Sequence, residues 1–333
     1  MKLTSHLKSL CAQTVFPQEV LDWITSGNLW NIWVPEAYDG LESTFSEGLQ
    51  ILKGLAKADG SLGWTVTLCS GANYFIGNLE PEIVAEIFSA TAILGGSGGM
   101  FGTAEKKGNQ FVLSGKWRYA TGANYLTHFT LNAKIIENDV ELKNEDGSPK
   151  FLSFVIPANK VSIIEDWKTM GLKASVTHSF EVENVVVDQK NSFVYNRFYL
   201  PQDIFKIHFS LFADMTLWVN YIGMAEHFAE ESSTLVDTKL VEPLKEVLSI
   251  SNKRIESHAL EVESVTAKNE VFTDDYIKQV HQEASKSVKD LSKEIIKLFP
   301  LLGVKASRED HVLNHIFRDY FTATQHHIFS RKA

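Results

Sequence analysis

The hydrophobic residues of this chain repeat with one period at its two ends and with another period in its middle. In residues 1–92 they recur every three or four positions, which predicts helices. Residues 93–198 alternate apolar and polar side chains, which predicts strands. Residues 199–333 return to helical spacing, most clearly between Ile277 and Leu298. Because no helical pattern separates the strands, the middle block predicts an antiparallel sheet or barrel and excludes an alternating α/β fold.

One uncharged stretch, residues 60–79, has to be compared with a membrane-spanning helix. It carries no charged side chain over 20 residues, but it contains four glycines and several amide and hydroxyl side chains. A spanning helix is more continuously apolar and is flanked by charged or aromatic residues. We therefore expect a helix buried in a large core, with neither a membrane segment nor an N-terminal signal peptide.

The composition limits the kinds of partner and the cellular compartment that we expect for this protein. The 333-residue chain has 32 Lys and Arg residues against 41 Asp and Glu residues, so its net charge is −9. An acidic chain has no general attraction for phosphate backbones, so we expect no nucleic-acid partner. Cys11 and Cys69 are the two cysteines of the sequence, too few for a disulfide framework or a four-cysteine zinc site. This cysteine usage favours a cytoplasmic location.

Two short motifs predict other chemistries only weakly. Gly95–Gly99 matches the G-x-S-x-G pattern of a hydrolase nucleophile, but a further glycine and a strand follow Ser97 where that pattern needs a helix. The glycines predict either a close approach of backbone to a ligand or a flexible turn. His311 and His315 stand four residues apart on a last helix that the capping pattern at 307–310 is expected to begin. The glutamate of an H-E-x-x-H zinc motif is missing, so we expect no metal.

The middle block concentrates aromatic and hydroxyl side chains. Tyr119 and Thr121 lie two residues apart on one predicted strand, and Trp167 and Ser175 come later in the block. Such aromatic residues usually belong to the core, but a ring face beside a hydroxyl group also fits a planar cofactor. The sequence has neither a G-x-G-x-x-G fingerprint between a strand and a helix nor a Walker loop. A nucleotide cofactor would therefore not be held by either device.

Four stretches, in order along the chain, resemble the acyl-CoA dehydrogenase superfamily of flavoproteins. The first lies within the first block, and the second lies on a strand of the middle block. The third begins at Trp167, and the fourth lies in the last helix and contains an arginine-aspartate pair. Their sequences are LWNIWVPEAYDGL at 29–41 with ADGSLGW at 58–64, GKWRYATG at 115–122, WKTMGLKASVTHS at 167–179 and IFRDYFTATQH at 316–326.

This resemblance implies a fold and a cofactor. The fold would be α+β and acyl-CoA dehydrogenase-like, with an N-terminal helical domain at 1–92, a central antiparallel β-barrel at 93–198 and a C-terminal four-helix bundle at 199–333. A flavin, FAD or alternatively FMN, would lie between the barrel and the bundle. Tyr119 would take the place of the family's flavin-stacking tryptophan, and a loop at 95–103 would line flavin and substrate. The positions that match cofactor-binding ones are Ser97, Gly98, Thr103, Tyr119, Thr121 and Trp167.

The departures from the family concern the catalytic base. Its dehydrogenases use a glutamate to remove a proton from an acyl thioester, and in one branch that position corresponds to His327 here. The ending TATQH at 322–326 resembles instead the flavin-dependent monooxygenases of this fold, in which a histidine of the region takes part in the oxygen chemistry. His326 and His327 are thus the candidate catalytic residues. As neighbours on one helix they would point about 100° apart, so only one would face the flavin, and we favour His326.

Three functions stay open on this sequence. The first is a flavin-dependent oxidoreductase of the acyl-CoA dehydrogenase family with an unresolved substrate. The second is a two-component monooxygenase that acts on an apolar or aromatic substrate, and the third is a degenerate, non-catalytic member. For the first two we expect a small-molecule substrate and either a flavin reductase or an electron-transfer partner. The family's assembly through its helical bundle implies a homodimer or homotetramer.

Overall fold

The first part of the chain is helical, as its hydrophobic spacing predicts. The structure is a computed structural model that describes residues 4–89 and 91–330. Residues 1–3, 90 and 331–333, which the predicted domains include, lie outside the described residues. The helices are α1 (Ser5–Cys11), α2 (Gln18–Ser26), α3 (Phe45–Ala58), α4 (Gly60–Asn73) and α5 (Pro81–Ile87).

The helices α3 and α4 are joined by a single residue. Thr44 and Glu47 form a reciprocal capping box at the start of α3, because each side chain accepts a hydrogen bond from the other residue's backbone. Asp59 lies between the helices and caps α4, since its Oδ1 accepts the N–H of Leu62 at 2.9 Å. Gly63 lets α4 pack directly onto α3, because a Cβ at this position would overlap the backbone of Ala56.

The uncharged stretch forms α4 and a following 3₁₀ turn, Tyr74–Asn78. Twelve of the 14 residues of α4 are buried, so the helix is surrounded by protein on all sides. Several of its polar side chains bond within the core; Asn73 Nδ2, for example, donates to Asn31 Oδ1 at 2.7 Å. The prediction of a buried core helix is confirmed. Within the described ranges, no helix is long and apolar enough to cross a membrane.

The middle of the chain forms one open sheet. The strands are β1 (Leu94–Lys107), β2 (Gln110–Ala120), β3 (His128–Glu137), β4 (Val140–Glu141), β5 (Phe151–Pro157), β6 (Ser162–Ile164), β7 (His178–Asp188) and β8 (Ser192–Phe193). Their order in the sheet is β6-β7-β2-β1-β3-β5-β8, and β4 pairs with β3. The edge strands β6 and β8 have three and two residues and do not pair with each other, so they supply no ladder that could close the sheet. The predicted closed barrel is therefore wrong for the described residues.

One strand pair departs from the predicted antiparallel order. β1 and β3 run parallel, whereas β2 pairs with β1 and with β7 in antiparallel register. The predicted loop at 95–103 is wrong as well, because these residues belong to β1. Gly96 permits the pairing, since a Cβ there would overlap the carbonyl group of Thr130 on β3. The glycines thus serve strand packing, with register shifts between Ser97 and Gly102.

The last part of the chain returns to helices. They are α6 (Phe209–Ser232), α7 (Thr238–Ala267), α8 (Asp274–Leu298), α9 (Val312–Ala323) and α10 (His327–Ser330). α6 is buried around most of its circumference and packs against α3, α7, α8 and α9. The helical spacing between Ile277 and Leu298 is confirmed by α8. The C-terminal helices are thereby tied to the first part of the chain through α6.

The last long helix begins later than its capping pattern predicts. Ser307 Oγ donates to the carbonyl oxygen of Val304 at 2.8 Å and so does not cap a helix. α9 begins at Val312, and His311 is its N-cap, because its Nδ1 accepts the N–H of Leu313 at 3.2 Å. The Ser307–Asp310 prediction is therefore wrong by about one turn, since an imidazole here takes the role of the expected hydroxyl group.

Candidate functional site

Two aromatic side chains form an exposed corner at the end of β2. The rings of Tyr119 and Trp167 meet edge to face with their centroids 5.7 Å apart. The indole of Trp167 is fixed because its Nε1–H donates to the carbonyl oxygen of Leu172 at 2.8 Å. Tyr119 is 46% exposed. An accessible ring held in place by a second ring is a surface on which a flat ligand can stack.

A chain of three buried hydroxyl groups begins next to this corner. Thr177 Oγ1 donates to Thr121 Oγ1 at 3.2 Å and lies 2.7 Å from Ser175 Oγ. Ser175 Oγ in turn lies 2.6 Å from the carbonyl oxygen of Leu172. We call Thr121, Thr177 and Ser175 the hydroxyl chain. Each hydroxyl group has one proton, and Ser175 gives its own to the Leu172 carbonyl oxygen; when Thr177 donates to Thr121, the Thr121 proton can be given to an acceptor outside the chain.

The β1 candidates divide into two groups. Ser97 Oγ donates to the carbonyl oxygen of Arg118 at 2.7 Å, next to Tyr119, and Gly98 has open space where a Cβ would lie. Thr103 is exposed and pairs with Ser114, five residues along β2 from Tyr119, a distance on the order of 16 Å. The structure thus brings Ser97 and Gly98 to the aromatic corner and leaves Thr103 farther along the strand.

The helix α4 runs behind both the hydroxyl chain and the last helix. Cys69 Sγ lies 3.7 Å from the carbonyl oxygen of Thr121, and the side chains of Cys69 and Thr65 lie beside Gly122. Thr65 Oγ1 is buried and has no hydrogen-bond partner in the described part of the chain. Trp64, the preceding residue of α4, packs edge to face against His326 with the ring centroids 5.5 Å apart. One helix therefore carries the contacts of both candidate regions.

His326 has the surroundings of a neutral imidazole. Burial, with a smaller contribution from the neighbouring His327, lowers the pKa of His326 to about 4. The N–H of Ile328 donates to Nδ1 across 3.4 Å, which leaves the ring proton on Nε2. At neutral pH this side chain presents an N–H donor on a ring that Trp64 orients.

The prediction that the two adjacent histidines lie on one continuous helix is wrong. α9 ends at Ala323, His326 lies in the following turn, and His327 begins α10. Their rings are 4.7 Å apart with planes 32° from parallel. The predicted 100° between the directions of the two side chains therefore does not apply, because it requires helical backbone through both residues. His326 is the inner residue and His327 is exposed.

Three acid and base groups, of which the two carboxylates are buried and the imidazole is partly buried, meet where the start of α4, α9 and the turn after β6 come together. His315 Nε2 lies 3.1 Å from Asp59 Oδ2 and 3.3 Å from Asp319 Oδ2. Burial alone would lower the pKa of His315, but the bond to Asp59 and the charges of Asp319 and Asp59 outweigh it and raise the pKa to about 9. Burial raises the pKa of Asp319. Asp59, His315 and Asp319, here called the buried cluster, have the ligand atoms and spacing of a candidate metal site.

The sequence missed this cluster and one member of the hydroxyl chain, Thr177. Asp59 is recognisable as a helix N-cap, and His315 and Asp319 have the four-residue spacing of one helix face. Nothing local indicates that Asp59 meets His315, which lies 256 residues later. His311, which we paired with His315, caps α9 and is not part of the cluster. Thr177 had no motif of its own and is defined by its contacts alone.

Comparison with known proteins supports the resemblance in fold. No protein-family model matches the chain. Over 233 residues the chain is 29% identical to indole-3-acetate monooxygenase of Acinetobacter baumannii, an alignment that covers 68% of this chain and 57% of that protein. It is 24% identical to the oxygenase component of an FADH(2)-dependent resorcinol hydroxylase of a Rhizobium species, over 54% of this chain and 45% of the relative. The chain thus matches about half the length of these curated relatives.

A solved structure shows the same architecture over nearly the whole chain. XiaF from a Streptomyces species, in complex with FADH2 and glycerol, aligns with a TM-score of 0.86 at 16% identity and covers 97% of this chain and 89% of its own. At this identity the likeness concerns the fold alone. Helices precede and follow a central open sheet along the chain, and this order and the alignment fit an acyl-CoA dehydrogenase-like fold.

Proposed function

We propose that the protein is the oxygenase component of a two-component flavin-dependent monooxygenase that acts on an apolar or aromatic substrate. The observation that carries the proposal is His326, a half-buried and neutral imidazole packed on Trp64. An acyl-CoA dehydrogenase needs a carboxylate to take up a proton from its substrate, and no such group was recognised at this place in the sequence. The named activities of the two curated relatives support the same choice.

The residues of the site fit a flavin. The accessible face of Tyr119 offers a stacking surface beside Trp167, and Thr121 has a proton available for a ring acceptor. Thr65 Oγ1 and Thr322 Oγ1 are buried groups without partners among the described residues, and a polar ring edge would satisfy groups of this kind. We propose FAD, with FMN as the alternative, because FADH2 is named for both XiaF and the resorcinol hydroxylase.

The protein's own residues would bind and orient the reactants. A reduced flavin, supplied by a separate reductase, would provide the electrons that activate molecular oxygen. Thr121 would donate to the flavin ring, and Ser97 and Gly98 would shape the β1 side, where open space lies beside Gly98. The neutral ring of His326 would donate from Nε2 to an oxygen atom of the reactants. The reaction would give the hydroxylated product, oxidised flavin and one water molecule for each reduced flavin and dioxygen consumed.

A labelled-oxygen assay tests this function. Purified protein is mixed with FAD or FMN, an NADH-dependent flavin reductase, ¹⁸O₂ and a panel of aromatic acids that includes indole-3-acetate. We expect a product that carries one ¹⁸O atom, measured by mass spectrometry, and a reaction without the protein is the control. Turnover of acyl-CoA substrates with an artificial electron acceptor would contradict the proposal in favour of a dehydrogenase. Failure to bind either flavin would favour the non-catalytic alternative.

A further inference from the structure

The turn between β6 and β7 has a backbone that needs support from outside. Leu172 and Val176 both have positive φ angles, 52° and 37°. Side chains other than glycine rarely adopt this region, and for a β-branched valine it is an outlier. Such residues persist only where the surrounding structure holds them. We call residues 172–176 the strained turn.

The support comes from the last long helix. The N–H of Leu172 donates to Asp319 Oδ1 at 2.6 Å, and both groups are buried. Immediately before it, Gly171 lies against the backbone of α9, because a Cβ there would overlap the carbonyl group of Arg318. A charged acceptor makes one of the stronger hydrogen bonds of a protein interior. The strained turn is thus anchored on Asp319.

Asp319 is held in turn by the other two members of the buried cluster. Its second oxygen, Oδ2, has no hydrogen-bond partner in the described ranges but lies 3.3 Å from His315 Nε2. His315 Nε2 also contacts Asp59 Oδ2 at 3.1 Å. Gly60 lets the start of α4 approach closely, since its Cβ would lie 2.8 Å from Asp319. An imidazole therefore stands between two buried carboxylates from different parts of the chain.

The strained turn carries most of the hydroxyl chain. Leu172 contributes its carbonyl oxygen at one end, Ser175 lies within the turn, and Thr177 follows it and donates to Thr121. The same carbonyl oxygen accepts the indole N–H of Trp167. A shift of Leu172 would therefore move both the hydroxyl chain and the aromatic corner.

We propose that the buried cluster is a positioning device for the flavin site: the imidazole of His315 fixes Asp319, which holds the strained turn and so sets Thr121 and Trp167. The link to flavin rests on the proposed function, whereas the hold on the turn does not. Without the imidazole of His315, no group stands between the two buried carboxylates, and the bond from Asp319 to Leu172 is weakened. His315 and Asp319 are positioning residues that act through the turn.

Amide hydrogen exchange in flavin-free protein tests the hold on the turn. In His315→Gln, peptides that cover residues 168–178 should exchange about tenfold faster than in the wild type, since opening of the turn becomes easier. Peptides from α8 should change little. Wild-type protein and variant are compared under conditions in which circular dichroism shows both to be folded.

A matched control separates this local effect from a general loss of stability. His258 is 8% exposed and lies 3.3 Å from Glu283, which makes a second histidine-carboxylate pair, between α7 and α8. Glu283→Gln should leave exchange in 168–178 unchanged. Equal acceleration of that segment in both variants would overturn the proposal, because it would show a merely structural role for the cluster.

Flavin binding tests the second half of the proposal. His315→Gln should bind FAD about tenfold more weakly and alter its visible absorption spectrum, whereas Glu283→Gln should do neither. An unchanged spectrum and affinity would overturn the link between the turn and the flavin site. If the wild type binds no flavin, the proposed function fails, and the exchange experiment still decides whether the cluster holds the turn.

A measurement on the wild type covers the case in which the variants do not fold. Added Zn²⁺ should leave the melting temperature of the wild type unchanged, because the ligand atoms of His315 and Asp319 already contact each other, Asp59 and the Leu172 N–H. A rise in melting temperature on adding Zn²⁺ that EDTA reverses would overturn the bridge that His315 makes between the two carboxylates.

Discussion

At the scale of single residues, the character of His326 follows from what surrounds it. Its ring packs on Trp64 and is half-buried, and the loss of solvent around it lowers the pKa to about 4, so the side chain stays neutral at the pH of most cells. A neutral imidazole can donate and accept without carrying charge, whereas an ionised carboxylate can only accept. The environment therefore selects a hydrogen-bond donor and disfavours a strong base.

We predict that His326→Ala uncouples flavin oxidation from product formation. The fraction of reduced flavin that gives product should fall by at least about tenfold, with hydrogen peroxide released instead, because a positioned donor is lost. Flavin affinity should change little, since Thr121 and Tyr119 are unaltered. The measurement is product and peroxide per NADH in the reductase assay between about pH 6 and pH 9, where the wild-type ring stays neutral.

His327→Ala is the matched comparison for this prediction. His327 is exposed and begins α10, so its removal should leave the coupling near the wild-type value. The opposite ranking of the two variants would assign the catalytic role to His327.

The sequence predicted some of these residues and could not predict others. Tyr119 and Trp167 were recognised as aromatic residues beside hydroxyl groups, and the structure places their rings in contact. The burial of His326 depends on Trp64, a residue of a distant helix, and no local pattern encodes that contact. The same holds for Asp59 and His315, whose contact is a property of the folded chain alone.

At the scale of elements, α4 shows how glycine placement determines packing. Gly63 faces α3 so closely that a Cβ would overlap the backbone of Ala56, and Gly60 faces Asp319 on α9. Gly71 has a different setting, because a Cβ there would lie 3.7 Å from Phe212, an ordinary contact. Two glycines of one helix thus permit close helix packing, and a third does not need to be glycine.

We predict opposite signs for alanine at two of these positions. Gly63→Ala should destabilise the protein by about 1–3 kcal/mol, because the added methyl group forces α3 and α4 apart. Gly71→Ala should be neutral or stabilise it by up to about 1 kcal/mol, because alanine favours helical backbone and finds space there. Chemical denaturation followed by circular dichroism measures both. Equal destabilisation by the two substitutions would contradict the packing argument.

Element types followed from the sequence better than their connections did. The periods of two and of three to four correctly separated strands from helices, as β2, β7 and α8 show. The parallel pairing of β1 with β3 was missed, since the glycines of β1 resemble a loop and their need for close strand approach appears only beside Thr130. Closure of the sheet was also predicted wrongly, because the edge strands are too short to pair.

At the scale of the whole molecule, the C-terminal helices carry several exposed large apolar side chains. Ile250 and Leu260 on α7 and Ile296 on α8 are each more than half exposed. Large exposed apolar side chains on long helices are typical of surfaces that bind another protein. With the family resemblance, this surface supports a homodimer or homotetramer.

We predict that light scattering at micromolar concentration gives two or four times the mass of the 37.4 kDa chain. Leu260→Glu should shift the distribution towards smaller species, because it places a charge on the apolar surface of α7, whereas a charge substitution at the exposed Glu256 should not. A single monomeric species in the wild type would contradict this assembly.

The bond between Leu172 and Asp319 also has a consequence for the timing of biosynthesis. The two residues are 147 positions apart in the chain. At about 5–20 residues per second, a ribosome completes the turn roughly 7–30 s before it adds the helix that holds it. During this interval Leu172 and Val176 lack the contact that makes their conformation favourable. The strained turn therefore gains its support only after α9 has been synthesised and has docked onto α4.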